Sequence, residues 1–295
     1  MNPLRQKFDA FLRFRCLSEK TRQAYLYSIT ELARYYNRSP EQIHNDEIID
    51  YVNHLSEEKG LSFSSCNVAL SAFKSFYNEF LGNGTLRLRI PGRKTPRRLP
   101  VVLDRGEVCR LLESIRHPQK RMFLMVAYGA GLRLSEIVNL KIDHIDGSRK
   151  SIFVRAGKGK KDRYTLLPNS LLKDLRSYYR MYRPQSWLFF SKRPDMPICK
   201  DRIQRAYTEA KRRAGIQKPG GIHTLRHCFA THLLEDGVDI KIVQQLLGHA
   251  DINTTSVYLH VSGRMISKVR SPLDSLTGKE SAADNAFLST AGRQP

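Results

Sequence analysis

The chain has 295 residues, 41% hydrophobic and 26% charged, which is enough for two ordinary domains with real cores. Fifty Lys and Arg against 28 Asp and Glu leave a net charge of +22, a balance that suits a nucleic acid or another polyanion. The longest apolar run, Met122 to Leu132, is about half of a membrane span, and the first residues offer no apolar signal core. Five dispersed cysteines without a Cys-x-x-Cys argue against a disulfide framework or zinc ribbon, so the expected setting is the reducing cytoplasm, with no membrane partner.

Residues 1–82 read as four helices. Leu4, Phe8, Phe11 and Leu12 recur at helical spacing. Ser18 caps a second helix whose stripe is Tyr25, Ile29, Leu32, Ala33 and Tyr36. Asn45 is expected to cap a third (Ile48, Tyr51, Val52, Leu55) that stops at Gly60. Ser62 or Ser64 would cap a fourth (Val68, Ala72, Phe73, Phe76, Phe80) that ends at Gly82. Residues 83–100, with three prolines, read as an extended linker. From 101 to 276 the pattern is mixed: helices near 105–115, 118–130, 169–181 and 201–213, with strands at Ser151–Arg155 and Tyr164–Leu167. Between the strands, Gly157-Lys158-Gly159-Lys160-Lys161-Asp162 makes a basic hairpin tip. His223 opens a helix ending near Gly237, Asp239 caps Ile240 to Leu247 with Gly248 as its stop, and a short helix carries Thr254 to His260. The expected fold is mainly α: a four-helix N-terminal domain (1–82), a basic linker (83–100), an α+β domain with a small antiparallel sheet (101–276), and a disordered tail (277–295).

The charge is unevenly placed. Residues 1–82 hold 10 basic and 10 acidic side chains, whereas 83–100 hold six basic ones and no acid. Residues 101–276 hold 32 against 16. The linker cations Arg87, Arg89, Arg93, Lys94, Arg97 and Arg98, with Lys160 and Lys161 of the hairpin, are therefore candidates to lie along phosphates. No phosphate-binding glycine loop, metalloprotease motif or paired-carboxylate nuclease cluster is present, so neither ATP, another cofactor nor a catalytic metal is expected. The histidine pairs His223/His227 and His227/His232 lack a carboxylate or thiolate to complete a ligand set.

What remains is a set of cations, imidazoles and one phenol near element ends. Arg133 follows Gly131 at a loop-to-helix junction, and Lys158 sits at the hairpin tip. His223 and Arg226 share one face of a helix start, His249 follows a glycine stop, and Tyr258 lies nine residues on. Each alone reads as a solvated charge or a packed ring. As an ordered set, within Ala130–Glu136, Gly157–Arg163, His223–His232, Leu246–His249 and Thr254–Tyr258, they resemble the tyrosine recombinase (phage integrase) family.

The resemblance covers about residues 1–275 and implies a helical core-binding domain before a catalytic domain. It implies Tyr258 as nucleophile, forming a 3′-phosphotyrosyl link, and Arg133 and Arg226 as phosphate-binding arginines. It implies Lys158 as general acid, His223 as general base or proton shuttle, and His249 as a hydrogen-bond partner of the phosphate. The implied partner is duplex DNA carrying recombination sites. The implied assembly is a homotetramer in which a segment such as Val261 to Val269 passes to a neighbour. The run from His223 to His249 is also similar to integron integrases. Those carry an extra segment before the His-x-x-Arg motif, for which the 64 residues between Lys158 and His223 leave no room, so the resemblance is to a Xer-like or integron-like core without that segment, and Xer-like and mobile-element roles both stay open. A type IB topoisomerase-like relaxase and a non-catalytic DNA-binding protein are the alternatives.

Overall fold

The computed structural model describes residues 3–82, 99–155 and 162–259, which fall in two units, Met1–Arg98 and Leu99–Pro295. The expected linker cations, Lys158, Lys160, Lys161, the segment Val261 to Val269 and the tail lie outside the described residues.

In the first unit the apolar stripes fold as four helices. These are α1 (Pro3–Phe14), α2 (Glu19–Tyr36), α3 (Asn45–Glu57) and α4 (Phe63–Lys74), the last running into a π-helical turn at Ser75–Phe80. Ser18 and Ser62 begin α2 and α4 as N-caps, accepting from the backbone N–H of Thr21 and Ser65. Asn45 is not a cap. His44 takes that position, because Glu47 reaches back to its backbone N–H and closes the first turn. The core joins Phe8, Leu12, Leu32, Ile48, Tyr51, Phe73 and Phe76. Val68 faces outward at 43% exposure, because the buried stripe of α4 is Cys66, Ala69, Leu70, Ala72 and Phe73.

The second unit contains α5 (Arg105–Glu113), α6 (Pro118–Gly129), α7 (Leu134–Val138), α8 (Asn169–Tyr182) and α9 (Lys200–Arg213). Its described residues continue with α10 (His223–Glu235), α11 (Ile240–Leu247) and a short α12 (Asn253–Ser256). One antiparallel sheet runs in the order β1 (Ile145–Asp146), β2 (Ser151–Val154), β3 (Arg163–Leu166), with Val154 opposite Arg163. The expected pair of strands is there, and β1 adds a third too short to show alternation. The mainly helical class with one small antiparallel sheet is the one that the sequence predicts.

Two helices set the site. The apolar run read from the sequence is α6, burying Met122, Phe123, Leu124, Val126 and Ala127. Helix α10 packs on it and is buried nearly all round, from Thr224 and Leu225 through Cys228, Phe229 and Ala230 to Leu234. A helix so placed holds its side chains on fixed lines, and one of those side chains is the guanidinium of Arg226, 1% exposed. Among the described residues no helix is long and apolar enough to cross a membrane.

Candidate active site

Helix α11 ends where its sequence says it must. Asp239 accepts from the Lys241 N–H at one end, and Gly248 adopts φ +64 at the other. The last carbonyls of a helix have no partner within it. Here three arginines, from β3, from α10 and from the position that caps α7, supply the missing donors. Arg163 Nε donates to the Leu246 carbonyl (2.8 Å), Arg226 Nη2 to that of Leu247 (2.5 Å), and Arg133 Nη2 to that of Gly248 (3.5 Å). The negative end of the helix dipole therefore gathers the cations.

A carboxylate completes the cluster. Glu136 on α7 is 8% exposed. It accepts a fork from Arg163, with Nη1 on Oε1 and Nη2 on Oε2, both at 2.8 Å. It also accepts from Arg133, through the backbone N–H and Nη1, both at 2.8 Å. Arg226 Nη1 stands 3.8 Å away. Burial works against charging Glu136, but the Arg163 bonds prevail and hold it down at about 2. Burial and the neighbouring Arg133 pull the Arg226 guanidinium down to about 9, so it stays charged at neutral pH. Arg226 Nη1 also donates to the Gly131 carbonyl (2.6 Å). Gly131 has φ +62, and a β-carbon there would stand 2.4 Å from the Phe229 ring, so both backbone and packing demand glycine.

Around the arginines sit the imidazoles and the phenol. His249 Nε2 lies 3.2 Å from Arg226 Nη2, and Nδ1 lies 2.9 Å from Thr255 Oγ1. A guanidinium has no lone pair to offer, so Nε2 accepts and Nδ1–H donates to the threonine. Burial, then Arg226 and Arg133, push His249 down to about 3, so it is neutral at physiological pH. Tyr258 is 4% exposed, packed with Phe229, Leu234, Val243 and Leu247. Its hydroxyl lies 2.9 Å from His227 Nδ1. Burial, then His223 and Arg226, lower His227 to about 4, while burial raises Tyr258, so the phenol donates to a neutral ring. His223, the first residue of α10, is exposed with its ring edge-on to His227, centroids 5.1 Å apart. Partial burial, then Arg226 and Arg133, hold it below the usual histidine range.

Of the six residues singled out in the sequence, Arg133, His223, Arg226, His249 and Tyr258 gather around the ends of α10 and α11, and Lys158 lies outside the described residues. Sequence reasoning missed Glu136, Arg163, Thr255 and His227 as partners. Glu136 and Arg163 stood inside the quoted motifs, but nothing local shows that residues 27 apart form one ion pair. His227 was weighed only as a metal ligand; its partner is Tyr258, while His232 bonds Tyr128 at 2.9 Å. A cavity of about 780 Å³ over α8, lined by Ile145, Leu172, Leu175 and Tyr179, contains none of these residues.

The chain matches two family models. Residues 102–264 match the phage integrase family, and residues 4–85 match its N-terminal SAM-like domain. Among curated proteins it is 35% identical over 277 residues to tyrosine recombinase XerA of Thermococcus kodakarensis, covering 91% of this chain and 94% of that one. It is 36% identical over 277 residues to the putative integrase/recombinase y4qK of Sinorhizobium fredii, covering 94% and 90%. Among solved structures, XerA recombinase aligns with a TM-score of 0.54 at 32% identity, over 92% of this chain and 100% of that one. A lambda integrase tetramer bound to a Holliday junction shares the fold, with a TM-score of 0.73 at 19% identity over 90% of this chain and 78% of that one. The chain therefore belongs to the phage integrase family and is a tyrosine recombinase, a DNA strand-exchange enzyme.

Proposed function

We propose that the protein cuts and rejoins duplex DNA at specific recombination sites through a covalent bond to Tyr258. The observation that carries this reading is the convergence of Arg133, Arg226, His249 and Tyr258 on one buried, cation-rich corner of the second unit. Tyr258 Oη attacks the phosphorus, the bond to the 5′ oxygen breaks, and a 3′-phosphotyrosyl link and a 5′-hydroxyl result. A 5′-hydroxyl from a second duplex then reverses the step, so bond number is conserved and no ATP is consumed.

Each group has a task suited to its environment. Arg133 and Arg226 meet the non-bridging oxygens and stabilise the charge that gathers in the transition state. His249 hydrogen-bonds the phosphate through Nε2; donating from there requires the other tautomer, which the Thr255 hydroxyl permits because it can donate or accept. His227 already accepts the phenolic hydrogen bond, and His223 beside it serves as base or proton shuttle. Lys158 protonates the leaving 5′ oxygen.

On the same reading residues 1–82 form the core-binding domain, and 101–276 the catalytic domain. The strap 83–100, with Arg87, Arg89, Arg93, Lys94, Arg97 and Arg98, follows the phosphates, as do Lys160 and Lys161. The enzyme acts as a tetramer on paired sites in the cytoplasm. The test is a nicked suicide substrate carrying the target site. Wild-type protein should accumulate a covalent adduct in EDTA without ATP, and Tyr258→Phe should bind the same DNA and form none. An adduct with Tyr258→Phe would overturn the assignment.

A further inference from the structure

The cluster contains one arginine for which the proposed chemistry has no use. Arg163, the first residue of β3, commits its nitrogens inside the protein: Nη1 and Nη2 to the two oxygens of Glu136, and Nε to the Leu246 carbonyl. Its side chain is 8% exposed. Its stem lies so close to Gly248 that a β-carbon there would come within 2.6 Å of Arg163 Cδ. It therefore bridges β3, α7 and the end of α11, from which His249 departs.

We propose that Arg163 is a positioning residue for strand cleavage, acting through Glu136 on Arg133 and through α11 on His249. Glu136 faces a choice among three guanidinia. With Arg163 forked across both of its oxygens, its charge is matched, and it holds Arg133 by a single side-chain bond, which leaves Arg133 donors for a phosphate beside its long contact with the Gly248 carbonyl. Without Arg163 the buried carboxylate has only Arg133 and Arg226 to draw upon, and both would be turned from the phosphate toward it. A lysine keeps the charge but presents a single ammonium, which cannot span both carboxylate oxygens and the Leu246 carbonyl.

The inference rests on the phosphotyrosine reading, and the experiment separates the two. Adduct formation on the nicked substrate is measured in single turnover at saturating DNA, beside the Kd for the intact site and the thermal melt. Arg163→Lys should fall in cleavage rate by about 10- to 100-fold, by analogy with the loss of a hydrogen-bond partner behind a metal-ligating side chain, with Kd changed less than about threefold. A wild-type rate in a folded Arg163→Lys, or a loss confined to Kd, overturns the proposal. The second arm is a double-mutant cycle with Glu136→Gln and Arg163→Gln. If Arg163 works through Glu136, the two losses do not multiply, because either change breaks the same pair. Fully multiplicative losses overturn it, including where Arg163→Lys fails to melt cooperatively. If wild-type protein forms no adduct, or Tyr258→Phe forms one, it is the underlying reading that fails.

Discussion

The two units treat charge in opposite ways. In the four-helix unit the acids and bases are equal in number over residues 1–82, and no Lys, Arg, Asp or Glu is buried among its described residues. Ion pairs such as Arg13 with Asp9 and Arg34 with Glu31 sit one helical turn apart on the surface, where each contributes about 0.3–0.5 kcal/mol. Its interior is instead aromatic: Phe8, Phe76 and Phe80 pack within 5.0–5.5 Å of one another. In the second unit Glu136 and Arg226 are buried, and Arg163 nearly so. Burying charge is costly unless every ion is matched, so a fold that does it in one corner has spent stability on that corner. Among the described residues, buried carboxylate and guanidinium groups occur together in this corner, and that is where the site residues meet.

The sharpest test of this contrast is Arg226→Ala. It removes two carbonyl caps and one neighbour of Glu136. Adduct formation at saturating DNA should fall by about 10²–10³-fold or more, and denaturant melts should show a loss of about 3–5 kcal/mol from the buried network. In the other unit, Phe73→Ala opens a cavity in a fully buried aromatic position and should cost about 3–5 kcal/mol of unfolding free energy. Its cleavage rate at saturating DNA should stay near wild type wherever the protein remains folded. A fall equal to that of Arg226→Ala would break the division of labour between the units.

A smaller effect is expected from acid. His227 and His249 are held at about 4 and 3, below the ordinary 6.5 of a free imidazole. Between those values the unfolded chain binds protons that the folded protein excludes, so stability is full above about pH 6.5 and falls as pH drops toward 3. Glu136, at about 2 against 4.5, adds its own loss below about pH 4.5 in the same direction. The melting temperature of the second unit should therefore decline through this window, and His249→Asn should flatten the decline.

The sequence was most legible where structure is local. Ser18, Ser62, Asp239 and Gly248 were readable as caps and stops because a cap is decided within three or four residues. Asn45 misled because two polar neighbours competed for the same turn, and Glu47 gave the cap position to His44. In the fourth helix the expected Ala72, Phe73 and Phe76 are buried, but Val68 faces outward and Ala69 and Leu70 fill the inward face beside it. At the site, the motif residues were readable, but their partners were not. Arg226 meets Gly131 across 95 residues and Leu247 across 21, and Tyr258 meets His227 across 31. Those pairings depend on how α10 and α11 pack, which no local pattern states.

The capping of α11 by Arg163, Arg226 and Arg133 carries a consequence for how this gene segment can vary. Consecutive carbonyls on a helix are rotated by about 100°. One residue inserted or deleted between Val243 and His249 would turn the Leu246, Leu247 and Gly248 carbonyls away from all three guanidinia at once. Substitution of an exposed residue there, such as Gln245, leaves the carbonyls in place. The stretch should therefore accept changes of identity while refusing changes of length, so that its frame is guarded more strictly than its letters.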